Sequence, residues 1–108
     1  MTRSVIYFHF EQPGARAEFL ETFQRISVLE VSSFQDGYLG GQLHVAVGDE
    51  HLAMVIADWE SPESYQGWLD NPDRETVGEQ LRAFLTSEPV GQVFEVVHEV
   101  APRTPVRA

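Results

Sequence analysis

The stretch Ala53-Met-Val-Ile-Ala-Asp-Trp-Glu-Ser-Pro-Glu-Ser-Tyr-Gln-Gly-Trp-Leu69 constrains the fold more than any other part of the chain. Residues 53 to 57 are apolar on both faces, so they read as a strand buried on both sides. Ser61 stands where a helix N-cap is wanted, and Pro62 at the first helical position, where a missing N–H is harmless. Glu63 adds negative charge to the first turn, in keeping with the helix dipole. Trp59, Tyr65 and Trp68 gather at this corner, and their N–H and O–H groups require partners or a wet cavity. A buried strand that ends in an aromatic corner reads as a pocket wall.

The rest of the chain is organised around that corner. Val5 to Phe10 is β-branched and aromatic, hence a strand, with Val5, Tyr7 and His9 on one face and Ile6, Phe8 and Phe10 on the other. After Pro13-Gly14, Phe19, Leu20, Phe23 and Ile26 recur at helical spacing. That helix is expected to weaken in the β-branched and serine-rich run Val28 to Ser33. Gln35-Asp-Gly37 is a turn signal, and alternation over Tyr38 to Val47 gives a strand. With Leu52 to Trp59 it forms a hairpin. Helices are expected over 62–70 and 73–85, and a last strand over Gln92 to Val100.

This order is β-α-β-β-α-β, the ferredoxin-like α+β arrangement: a four-stranded antiparallel sheet with helices on one face. It implies one domain over residues 1–100 and a tail over 101–108 that is unstructured or wraps a partner. Helices can cover only one sheet face, yet the first and third strands are apolar on both. The uncovered face therefore calls for a second copy of the chain, a homodimer packed sheet to sheet.

Composition removes several function classes. The chain has no cysteine, so it offers no thiol nucleophile or redox pair. Its seven basic residues are all arginine, which excludes a lysine Schiff base. A net charge of −10 argues against nucleic acid and anionic membranes. Neither a signal-peptide pattern nor a run near the ~20 apolar residues of a membrane span is present, and a cytoplasmic protein is expected.

The candidate site is read from strand parity. Tyr38, Gly40, Gln42 and His44 of the second strand are set beside Ala53, Val55, Ala57 and Trp59 of the third. Small residues on adjacent strands leave volume for a flat aromatic ligand, although the same residues also simply admit packing. His44 is the acid–base candidate, since histidine titrates near neutrality. His9 and Tyr7 share a face and could line the pocket or the dimer seam. The histidines have no metal-ligand spacing, so no metal is expected.

Pro13-Gly14 opening a helix, Gly37-Tyr-Leu-Gly40 opening a strand, Asp58-Trp-Glu-Ser61 and Tyr65-Gln-Gly-Trp-Leu69 together resemble the antibiotic biosynthesis monooxygenase (ABM) family of dimeric α+β barrels. The resemblance spans about residues 4 to 100. Cofactor-free quinone-forming members have a tryptophan at the end of the third strand and a tyrosine six residues on, which Trp59 and Tyr65 match. Where those members carry an asparagine this chain has Val55, and where they carry an arginine it has Glu79, with Arg82 nearby. The haem-degrading branch has a tryptophan matching Trp68, but its histidine ligand falls on Gly78 here.

The resemblance implies a cofactor-independent monooxygenase acting on a phenol or anthrone of polyketide type in natural-product biosynthesis. His44, Trp59 and Tyr65 would be catalytic, with Tyr7, His9, Tyr38, Gln42, Val55 and Trp68 binding substrate. A cyclase or isomerase working without O₂, and a non-catalytic ligand-binding dimer, are the alternatives.

Overall fold

A computed structural model describes residues 1–103. Four strands, β1 (Thr2–His9), β2 (Tyr38–Val45), β3 (Leu52–Trp59) and β4 (Val90–Glu95), form one antiparallel sheet in the order β2-β3-β1-β4. Four helices, α1 (Ala15–Arg25), α2 (Val28–Ser32), α3 (Pro62–Leu69) and α4 (Pro72–Glu79), and a 3-10 turn at Arg82–Phe84 complete the ferredoxin-like fold.

Local chemistry explains where each element stops. Ser61 Oγ accepts the Ser64 N–H at 3.2 Å, so the expected cap starts α3. Asn71, the only asparagine, caps α4 through its Oδ1, which accepts the Asp73 N–H at 2.9 Å. The helix expected over 73–85 ends at Glu79, because Thr76, Val77 and Gly78 are weak helix formers. The first helix breaks at Ser27, whose φ is +59°, and the run expected to weaken it forms the short α2 instead.

Strand β4 is shorter than the expected 92–100 because β1 runs out. Glu95 pairs with Thr2, and the Val96 N–H makes a last bond to the Met1 carbonyl at 3.0 Å. Beyond it, Val97 and Val100 are exposed. Residues 101–103 lack regular structure, and the remainder of the expected tail, 104–108, lies outside the described residues.

The turn before β2 locks onto α3. Gly37 has φ +85°, its carbonyl accepts the Glu60 N–H at 2.8 Å, and a Cβ there would collide with Ser64. Between Tyr38 and Gly40 the β2–β3 register shifts by a bulge at Leu39. That extra residue reverses which face every later β2 side chain takes.

The helix-covered face holds Ser4, Ile6 and Phe8 of β1 and Ala53, Val55, Ala57 and Trp59 of β3. Its core falls into two clusters. Phe8, Phe10, Phe19 and Phe23 gather with Val55 and Leu81, ring centroids 4.8 to 5.7 Å apart. Ala57, Trp59, Tyr65 and Trp68 form the second, under α3.

Candidate functional site

A cavity of about 210 Å³ opens where the two core clusters fail to merge. Its floor is Val55 and Ala57 of β3 with Ser4 and Ile6 of β1. Phe8, Phe23 and Leu81 wall one side, and Trp59, Tyr65 and Trp68 the other. The small floor residues make the space: two apolar groups of helix anchor at either end of β3, and nothing large rises between them.

Trp59 is the fixed point of the aromatic wall, 1% exposed. Its indole N–H donates to Ser4 Oγ at 3.1 Å, and Ser4 Oγ in turn donates to the Ala57 carbonyl at 3.4 Å. Tyr38 stands edge-on behind it, centroids 5.4 Å apart at 81°, and Tyr65 leans against it at 5.6 Å. With its N–H committed to Ser4, the partner that a buried indole requires, Trp59 shapes the cavity by its ring.

The Tyr65 hydroxyl is differently placed. It makes no side-chain hydrogen bond among the described residues and lies over Gly91, where an added Cβ would come within 3.3 Å of it. Burial pushes the Tyr65 hydroxyl pKa up, while the positive charge of Arg74 pulls it partly back. Burial raises Tyr38 as well, against the influence of Ser32.

Charge sits at the rim. Arg82 Nη2 donates to Glu75 at 2.9 Å and Arg82 Nε lies 3.8 Å from Glu88, while Arg74 lines the same opening. These are exposed ion pairs, worth little in stability. Glu79, at the position where the family resemblance expects an arginine, is exposed and is not part of the lining. Arg82 is, because the chain leaves α4 and tightens into the 3-10 turn that carries it to the cavity.

Of the residues expected from sequence, the structure brings Trp59, Tyr65, Trp68 and Val55 to the cavity and Tyr38 directly behind it. It does not bring His44, Gln42, Tyr7 or His9. Gln42 and His44 pair with Ile56 and Met54, and Tyr7 and His9 pair with Met54 and Leu52, all on the uncovered sheet face. His44 Nε2 is 2.8 Å from Gln42 Oε1. The grouping of His44 with Val55 and Trp59 fails on the bulge at Leu39 and on alternation: Leu43, not His44, is opposite Val55.

Sequence reasoning missed Ser4, Arg74, Glu75 and Glu88. A signal existed for Ser4, a small polar residue just before the apolar run of the first strand, which antiparallel pairing sets opposite Ala57 near the end of β3. For the rim residues there was none, since Arg74 and Glu75 come from α4 and Glu88 from the segment before β4. Among the described residues no three histidine, aspartate or glutamate side chains are placed to hold a metal. No helix of the described residues is long and apolar enough to cross a membrane.

A profile of one family, antibiotic biosynthesis monooxygenase, matches residues 1–80. The chain belongs to the ABM family. Among solved structures it is similar to a monooxygenase from the gene ActVA-Orf6 of Streptomyces coelicolor, in complex with nanaomycin D, with a TM-score of 0.80 and 21% identity over 94% of this chain and 92% of that one. SnoaB, a cofactor-independent oxygenase from Streptomyces nogalater, superposes with a TM-score of 0.74 and 22% identity over 94% and 97% of the two chains. Rv0793 from Mycobacterium tuberculosis gives 0.73 and 16% over 94% and 100%. At these identities the likeness to ABM structures establishes the fold alone. A search of curated proteins finds no match.

Proposed function

We propose that the chain is a cytoplasmic, homodimeric, cofactor-independent monooxygenase of an aromatic natural-product pathway, acting on a phenol or anthrone of polyketide type. One observation carries this reading: in an ABM chain, the cavity between helices and sheet is walled by Trp59, Tyr65 and Trp68 and floored by Val55 and Ala57, a shape suited to a planar ring system.

In such a reaction the ionised substrate supplies the electrons. An anthrone anion passes one electron to O₂, and the radical and superoxide recombine as a carbon-bound peroxide. Loss of water leaves a quinone carbonyl, so the CH₂ hydrogens and one oxygen depart as water and the other oxygen stays. The Tyr65 hydroxyl, which has no side-chain hydrogen-bond partner among the described residues and whose pKa burial raises, would donate to an enolate or phenolate oxygen. Trp59 and Trp68 fix the ring plane and keep water out. The open sheet face, with Val5, Met54 and Ile56 at its centre and Tyr7 and Phe94 at 40% and 44% exposure, supports the homodimer.

Oxygen uptake with dithranol, an anthrone, tests the reading. Enzyme-dependent O₂ consumption with a matching yield of anthraquinone product, lost in Trp68→Ala, is expected. Consumption no faster than the buffer blank across a panel of anthrones and naphthalenediols would overturn it. Val55, which puts an alkyl group where quinone-forming relatives carry an amide, favours the second reading of a ligand-binding dimer; that protein would bind the same compounds tightly and turn over none of them.

A further inference from the structure

The arginines of the folded body are not equivalent. Arg3 makes a bidentate pair with Asp58 at 2.7 and 3.1 Å. Arg16 donates to the carbonyls of Asp49 and Leu52 at 2.7 and 3.3 Å, and Arg25 reaches Thr22 Oγ1 at 3.5 Å. Arg82 is held between Glu75 and Glu88. Arg74 alone among these five makes no side-chain hydrogen bond or ion pair among the described residues, although it is half-buried and lines the cavity.

Its place on α4 gives it no structural employment either. Arg74 lies in the first turn of the helix, where the backbone dipole disfavours positive charge, between Asp73 and Glu75. Asp70, one turn earlier, takes its hydrogen bond from Gln66 at 3.1 Å instead. Arg74 nevertheless acts on the cavity, since its charge opposes the burial that raises the Tyr65 hydroxyl pKa. In a chain of net charge −10, an anion is repelled at long range and needs a local cation to enter.

We propose that Arg74 is a specificity-determining residue of the cavity and selects aromatic ligands that bear a carboxylate beside the ring system. The proposal rests on the reading of the cavity as an aromatic-binding site. The rings stack against Trp59 and Trp68, and the carboxylate takes the planar guanidinium of Arg74 in a two-point hydrogen bond. Arg82 cannot substitute for it, because two glutamates already neutralise it.

Isothermal titration with 1-hydroxy-2-naphthoate, its methyl ester and 1-naphthol tests this. The wild-type protein is expected to bind the acid at least tenfold more tightly than the ester. Arg74→Gln should bring acid and ester within twofold of each other, with a far-ultraviolet circular dichroism spectrum and melting profile matching the wild type to show that the variant is folded. Arg74→Lys should keep part of the preference. Equal binding of acid and ester by the wild type, or a preference that survives Arg74→Gln, overturns the role of Arg74 and leaves the aromatic cavity standing. Failure of all three compounds to bind the wild type overturns both.

Discussion

The two faces of β3 are built from alternate residues of one segment and do opposite things. Towards the helices it presents Ala53, Val55, Ala57 and Trp59, all buried; away from them it presents Leu52, Met54, Ile56 and Asp58, all half-buried. The buried face is the one with missing volume: three small or medium side chains and one very large one leave a cavity between two aromatic clusters. The outer face carries larger side chains and remains a level, largely apolar plane. Burial and filling are thus separate properties. A strand can be fully covered and still host a cavity if its side chains are too short to reach the layer above.

The largest effect that would break this contrast belongs to Trp59. Trp59→Ala removes the keystone of the aromatic wall and should lower stability by about 3–5 kcal/mol in urea denaturation. A loss below about 1 kcal/mol would mean the wall holds without it. Next is Val55→Phe, which fills the floor. It should weaken naphthol binding by at least tenfold, at an overpacking cost of about 1–3 kcal/mol. Ile56→Glu acts one residue along on the opposite face. It should convert the proposed homodimer to a monomer in light scattering without altering ligand binding to the helix-covered cavity; a wild-type mass that is already monomeric, or one unchanged by the substitution, would show that the plane is not a dimer contact.

A smaller effect is expected in alkaline solution. Burial raises the Tyr65 hydroxyl pKa, so the folded chain keeps this proton at a pH where the unfolded chain has lost it. That contribution to stability is complete below the ordinary tyrosine value of about 10 and is lost as pH rises through the raised folded value. Denaturation midpoints should therefore fall above pH ~10 less steeply in Tyr65→Phe than in the wild type. Identical profiles would mean the hydroxyl is fully solvated. Tyr38 shifts in the same direction and will keep a residual slope in the variant.

Smallest of all is His44→Ala. Lying on the outer face beside Gln42, His44 should contribute within about 0.5 kcal/mol to stability and leave oxygen uptake within twofold. A large loss of uptake would return the histidine to the chemistry and unsettle the contrast between the two faces.

Much of the fold is written locally. Ser61 and Pro62 start α3, Asn71 and Pro72 start α4, and the β-branched runs make the strands, because caps, φ restrictions and side-chain spacing act over a few residues. The aromatic corner is legible for the same reason: Trp59, Tyr65 and Trp68 lie within ten residues of each other and meet as soon as strand turns into helix. Strand parity around His44 is not legible. One bulge residue at Leu39 reverses it, and the face that helices cover depends on how α1 and α3 return to the sheet. The cavity rim belongs wholly to the tertiary structure. Arg74, Glu75, Arg82 and Glu88 are brought together by the first turn of α4, a 3-10 turn and the approach to β4, and no spacing in the chain announces a contact between groups on three separate elements. The sequence by itself determined the elements and the aromatic wall; packing decided which face of the sheet would be hollow and which charges would stand at its opening.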